Sequence, residues 1–256
     1  MRIILPQASM TPLVMIVLIF ISALAINTRA FAEISVEPTR IALDAKTRTA
    51  VITIRNDDTK PYQVSPVWTH VVQANDGSLH PTEQKISLEQ MPTVRVWPAV
   101  AIVQPGASIN YSVLLDPGAR LGEETRTHLR FDLDPVRGNG PRWAVVVPVF
   151  VRGALINPEV EIIDTRMNAP NSFQIFMRNR AGASPHGQIL LFDQTGRKLT
   201  ELSNVNLYEN GQITSFVLEL PEHALPPVLV LYLGNAEFAG TVFAEKKLSI
   251  TRDRHR

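Results

Sequence analysis

The chain has 256 residues, of which 45% are hydrophobic and 19% charged, and its formal net charge is +1. This composition excludes a disordered chain, and the near-neutral balance argues against a general nucleic-acid footprint. Cysteine is absent, which rules out disulfides and thiolate metal sites and leaves stability to apolar cores.

The first residues carry the pattern of a secretory signal. Arg2 is followed by an apolar run over 13–26 broken only by Ser22, and Ala30-Phe31-Ala32 has the small-x-small pattern of a cleavage site. The run is shorter than the ~20 residues that span a bilayer. The expected cleavage follows Ala32, giving a mature chain from Glu33; an uncleaved anchor is the alternative. Loss of residues 1–32 removes Arg2 and Arg29 and no acid, so the formal charge moves from +1 to −1.

From there the chain reads as short strands separated by turns. Residues 34–43 alternate apolar and polar and turn at Asp44-Ala45, and residues 49–54 alternate before Asn56-Asp57-Asp58. Residues 62–72 carry Tyr62, Val64, Val67, Trp68, Val71 and Val72 and end at Asn75-Asp76-Gly77. Pro98 interrupts 94–103, which is therefore an edge strand or two short pieces. Two further alternating runs follow over 108–115 and 126–133. The seventh segment, 142–152, is Arg-Trp-Ala-Val-Val-Val-Pro-Val-Phe-Val-Arg, entered through Gly138-Asn139-Gly140 as through a hairpin turn.

That segment is apolar on both faces. Trp143, Val145, Val147 and Val149 fall on one side, and Ala144, Val146 and Phe150 on the other. It is either a central strand buried on both sides or an edge strand that lends its second face to another protein. The pattern restarts near 154–158, where the domain boundary is placed. Strands are expected over 160–163, 173–178, 187–192, 213–218, 228–233 and 242–250. The fold class is therefore all-β: two tandem β-sandwiches, residues 33–154 and 155–256, with no convincing helix and no residue repeat linking the halves.

Catalytic signals are weak. The six histidines (His70, His80, His128, His186, His223, His255) show no metal-ligand spacing, and there is neither a Gly-x-Ser-x-Gly elbow nor a phosphate loop. Glu123-Glu124 in a Gly-bounded loop reads as solvated charge. No enzyme, cofactor or metal is expected.

Several residues fall in a familiar order. They are Thr39-Arg40 in the first strand, Asn56 after the second, Trp68 in the third and Pro105-Gly106 before a regular strand. Arg126-Thr-His-Leu-Arg-Phe and Pro148-Val-Phe-Val-Arg152 follow, with Ser172 to Asn179 and Leu191-Phe-Asp-Gln-Thr-Gly196 in the second half. In this order they resemble the PapD-like periplasmic chaperones of pilus assembly. Two departures point to a divergent, archaic-type branch: the family's cleft Lys falls on Pro148 and its closing Pro on Gly153.

The resemblance implies immunoglobulin-like sandwiches in a boomerang arrangement and a periplasmic, non-enzymatic chaperone of the chaperone-usher pathway. Such a protein binds pilin subunits by donating a β-strand and hands them to an outer-membrane usher. The donating face is expected to be Trp143, Val145 and Val147, aligned through Phe150, with Ala144 and Val146 as the other choice. Arg40 is expected to bind the subunit's C-terminal carboxylate, the alternative being an arginine with an acid partner of its own. Arg152 is expected in an interdomain salt bridge, and Arg130 is a candidate second cation. Aspartate at Val145 and Val147 should then abolish capture without unfolding, and Arg40→Ala should leave the melting temperature nearly unchanged. A free edge of this kind invites capping, by a homodimer or by the polar segment 73–93. The runner-up function is a surface pilin-like or adhesin module; a secreted glycan-active enzyme is third.

Overall fold

The computed structural model describes residues 34–86, 93–137, 141–153, 157–222 and 224–248. The signal segment, the turn at 138–140, the boundary at 154–155, His223 and His255 lie outside the described residues. The described chain is all-β, apart from a three-residue 3-10 helix at Ala236–Phe238.

The described residues of the first half form β1 (Ile34–Glu37), β2 (Ile41–Leu43), β3 (Thr49–Asn56), β4 (Tyr62–Gln73), β5 (Leu79–Ile86), β6 (Val94–Trp97), β7 (Ala101–Val103), β8 (Ser108–Leu115), β9 (Thr125–Pro135) and β10 (Trp143–Val151). One sheet has the order β1-β3-β8-β6; the other has β2-β10-β9-β4-β5, with β7 also pairing β4. This is the immunoglobulin arrangement, in which the first, second, fifth and fourth strands oppose the third, sixth and seventh. The alternation seen in the sequence sends Ile52, Ile54, Tyr62, Val64, Trp68, Tyr111, Val113, Leu129, Phe131 and Leu133 into one core.

The first predicted strand is two. After β1 the chain passes Pro38 and crosses to the opposite sheet as β2, and after β6 it passes Pro98 and crosses likewise as β7. Proline has no N–H to give to a ladder, so each crossing falls where pairing must stop in any case. Segment 73–93 contains β5, which pairs with β4 at the sheet edge remote from β10. β5 does not pair with β10, its polar composition had hidden the strand, and 87–92 lie outside the described residues.

The described residues of the second half form β11 (Val160–Ala169), β12 (Ser172–Asn179), β13 (His186–Phe192), β14 (Lys198–Asn206), β15 (Ile213–Glu219), β16 (Leu229–Gly234) and β17 (Val242–Lys247). The sheets are β11-β12-β15 and β14-β13-β16-β17, and they enclose a second core around Ile175, Met177, Ile189, Leu191, Leu218, Val230 and Tyr232. β14 was not anticipated, because Thr200 to Asn206 mixes polar residues with only two apolar ones.

The halves share one device that no residue repeat announces. Asn56 ends β3, donates its amide to Lys60 O at 2.7 Å and accepts the Gly106 N–H at 2.7 Å through its backbone carbonyl. Asn179 ends β12, donates to Ala183 O at 3.1 Å and accepts the Gly211 N–H at 2.7 Å in the same way. Both glycines have positive φ, 72° and 79°, which L side chains rarely adopt. A buried asparagine thus pins the end of a strand in each half, and that of the second half fixes the loop carrying Ser184, which faces the seam.

Candidate functional site: the open edge of β10 and the seam between the halves

β10 pairs along its whole length with β9 on one side, from Trp143 opposite Leu133 to Val151 opposite Thr125. On its other side β2 covers only Val149, Phe150 and Val151, in a parallel ladder. Among the described residues, 143–148 has no ladder partner on that side. The limit is set by composition: β2 cannot be extended backwards through Pro38, and Pro148 offers no N–H. Among the described residues β10 is therefore central at its end and an edge at its start.

Its side chains divide by parity. Val147, Val149 and Val151 are in the core, with Val145 packed against it. Trp143, on the same face, reaches the open end of the sandwich and is 39% exposed. Ala144 and Val146 face outward and are exposed, and Pro148 is half-buried. This corrects the expected donating face at Val147: its side chain fills its own core and is 1% exposed. Trp143 and Val145 remain available at the open end, and Ala144 and Val146 on the outside.

Phe150 is a second correction. It is buried, and its ring carries the guanidinium of Arg40 at 3.7 Å and lies 6.0 Å from Tyr208 of the second half. It belongs to the seam between the halves, away from the open edge.

At that seam Arg40 is fully engaged. Its Nε is 3.2 Å from Glu237 Oε1, its Nη2 donates to Ser184 O at 3.0 Å, and its Nη1 is 3.5 Å from Asn206 Oδ1. The expected free carboxylate fork is thus occupied by an acid of the same chain. Position on the seam explains this: Arg40 leaves the ladder just before β2, and its long side chain finds the 3-10 turn of the other half.

Arg152 is 3% exposed and bonds Glu124 at 2.8 Å, while its Nη2 lies 3.6 Å from Glu237. Its Nε has no hydrogen-bond partner. Glu124 also accepts the Ser184 N–H at 2.7 Å. It is a half-buried seam acid and so departs from the solvated charge read in the sequence. Arg130 pairs with Asp132 on its own strand.

The sequence reading missed the rest of the seam. Arg126 stacks on Tyr208 at 4.5 Å and bonds Glu209 and Val71 O. Gln73 reaches across twice, donating to Asn206 O at 2.9 Å and accepting the Tyr208 N–H at 2.9 Å. The β4–β5 hairpin tip follows it, with Ser215 N–H donating to Asn75 O at 2.7 Å. Nothing in the sequence marks Gln73; the turn Asn75-Asp76-Gly77 beyond it was the available signal. His70, Glu124, Arg126, Arg180, Ser184 and Tyr208 are among the residues lining a cleft of about 560 Å³ beside this cluster.

Burial governs titration here. His128, whose ring meets the edges of His70 and Tyr208, is pushed down to about 3 by burial, helped by Arg126 and then His70. His186 is lowered by burial and then by Arg40, against its bond to Asn206 and the charge of Glu237. Burial raises Tyr208, opposed by Arg40 and Arg126. In each case burial favours the neutral form.

No group of three or more His, Asp and Glu side chains placed to hold a metal occurs among the described residues. Asp76, Ser78 and His80 do touch in an exposed turn, where the Ser78 hydroxyl donates a hydrogen bond to Asp76 and lies 2.8 Å from His80 Nε2.

No protein-family model matches the chain, and no curated protein does. Among solved structures it is similar to the Pseudomonas aeruginosa CupB2 chaperone, with 14% identity over 84% of this chain and 100% of that one, and a TM-score of 0.48. It is similar also to a chain of the Salmonella enterica SafA pilin–SafB chaperone complex, with 14% identity, 86% and 98% coverage and a TM-score of 0.48. A third likeness is to the CsuC–CsuE chaperone–tip adhesion subunit pre-assembly complex of Acinetobacter baumannii, with 11% identity, 85% and 97% coverage and a TM-score of 0.47. At such identities and scores these likenesses decide neither family nor partner.

Proposed function

We propose that the protein is a periplasmic chaperone of pilus subunits, with two domains (33–154 and 155–256) following a cleaved signal peptide over 1–32. It captures a subunit by adding the free edge of β10 to the subunit's sheet and passes it to an outer-membrane usher. Binding uses no cofactor and no catalytic step.

The observation that carries this reading is the edge at 143–148, which has no ladder partner beyond β9 among the described residues. An unpaired strand edge is a template for another chain, and β-augmentation supplies ladder bonds for affinity and side-chain pockets for register. A partner strand laid there continues the sheet, so its inner side chains extend the sandwich interior. The residues beneath it are then those on the core face of β10 at its open end, Trp143 and Val145. Burying each contributes roughly 1.5–3 kcal/mol. Pro148 limits the shared ladder to the residues before it, so a short apolar segment is selected.

The test is co-expression with a pilin-like subunit and purification through a tag on this chain. The wild type should co-purify the subunit from the periplasm, and Trp143→Asp should lose it while melting within a few degrees of the wild type. Retention of the subunit by Trp143→Asp, or release of the protein to the cell surface with assembled fibres, would contradict the proposal.

A further inference from the structure

The chain has two Asn-Gly pairs, Asn139-Gly140 and Asn210-Gly211, and only the second lies within the described residues. Asn210 and Gly211 are both exposed, in the loop between β14 and β15, and Asn210 lines the cleft at the seam beside Glu209. Gly211 has φ of 79°, and a Cβ built on it would meet no atom within 4 Å, so no side chain shields its nitrogen from water or from the asparagine before it. The carboxamide of the one residue and the nitrogen of the other are both tied to a third, buried residue. Asn210 Oδ1 accepts a hydrogen bond from Asn179 Nδ2 at 2.8 Å, and the Gly211 N–H donates to Asn179 O at 2.7 Å. Asn179 is held in turn by Ala183 O, at 3.1 Å. In the first half the glycine held in the same way, Gly106, follows Pro105, which has no side-chain amide.

We propose that Asn210-Gly211 is a site of spontaneous covalent modification, a deamidation that the two hydrogen bonds to Asn179 restrain while the chain is folded. The Gly211 nitrogen gives up its proton and attacks Asn210 Cγ. The new C–N bond closes a succinimide ring, the Cγ–Nδ2 bond breaks, and Nδ2 takes up a proton and leaves as ammonia. Water then opens the ring at either carbonyl to give aspartate or isoaspartate, so one water is consumed and one ammonia released, with no oxidant or cofactor. Ring closure needs the Gly211 proton removed and the Asn210 carboxamide swung onto that nitrogen, and each bond to Asn179 opposes one of these movements. The reaction therefore waits on local opening of the loop. Its product carries a new negative charge beside Glu209, whose carboxylate holds Arg126 across the seam. Aspartate can still accept from Asn179 Nδ2, whereas isoaspartate lengthens the main chain by a methylene and draws the Gly211 N–H off Asn179 O. None of this depends on whether β10 binds a subunit.

The experiment incubates the full chain in warm, mildly alkaline buffer and follows conversion at Asn210 by peptide mapping with mass spectrometry. In guanidinium chloride Asn210 should convert readily, and in native buffer roughly tenfold more slowly or less, since both bonds must open first. Low guanidinium concentrations that speed Gly211 amide exchange in the native chain should speed conversion in proportion. Asn179→Ala, which removes the side-chain tether, should raise the native rate about threefold or more and leave the rate in guanidinium unchanged. Conversion equally fast in native and denaturing buffer, a native rate that stays constant while Gly211 exchange rises, or an unchanged native rate in folded Asn179→Ala overturns the restraint. Asn210 left intact in guanidinium overturns the site itself. The wild-type measurements decide the matter even if Asn179→Ala does not fold.

Discussion

Val146 and Val147 are neighbours on β10 with opposite surroundings: the first is 37% exposed and the second 1%. The side chain of Val147 is part of the first core, whereas that of Val146 meets solvent. Aspartate at Val147 would bury an unpaired carboxylate and should lower stability by about 3 kcal/mol or more, roughly 10 °C in the melting temperature. Aspartate at Val146 should leave the melting temperature within about 2 °C. Thermal denaturation followed by circular dichroism distinguishes them, and similar losses for both would mean that the outer face of β10 is covered.

Arg40→Ala should now destabilise the chain. It removes the cation facing Glu237 and uncovers Phe150, and breaking one side of a buried ion pair costs about 3 kcal/mol. Urea denaturation of Arg40→Ala beside Arg40→Lys measures this; the lysine keeps the charge and should recover about half. An unchanged midpoint for the alanine variant would restore the simpler picture of a surface arginine.

The architecture was legible in the sequence because apolar alternation and turn clusters are local signals. β3, β8, β9, β10 and β12 fall within two residues of the expected strands. β5 and β14 were hidden by their polarity, since an edge strand exposes most of its side chains and loses the alternation that marks the others. The seam was less legible. That Arg40 meets Glu237, 197 positions away, depends on how two sandwiches abut, and local pattern says nothing of it. The parity of β10 was readable, but the residue where its apolar face passes from its own core to open space was not. That residue is set by where β2 stops.

Stability should fall on acidification through His128. Its folded-state value is about 3, below the ordinary 6.5, because burial and then Arg126 and His70 disfavour the imidazolium. Below pH 6.5 the unfolded chain binds a proton that the folded chain refuses, so the neutral-pH stability is lost progressively between about pH 6.5 and 3. The slope approaches about 1.4 kcal/mol per pH unit for this one site. His128→Leu should flatten that part of the stability–pH curve in urea titrations at pH 4 to 7. A curve parallel to the wild type's would assign the acid sensitivity elsewhere.

Gln73→Leu tests the second clamp across the seam. It leaves the Tyr208 N–H and the Asn206 carbonyl without their partners, a loss of about 1–3 kcal/mol. Amide exchange at Tyr208 should accelerate at least tenfold, while amides of β13 and β16 keep their protection. Unchanged exchange at Tyr208 would show that the hairpin does not hold the halves together.

Hydrogen exchange along β10 tests the strand-donation account most directly. In the free protein the amides of 143–147 that point away from β9 should exchange at nearly the rate of an open chain, and those of 149–151 should be protected by β2. With a pilin-like subunit bound, the outward amides of 143–147 should slow at least tenfold. A stable complex in which those amides exchange as fast as before would place the binding surface elsewhere and contradict strand donation by β10.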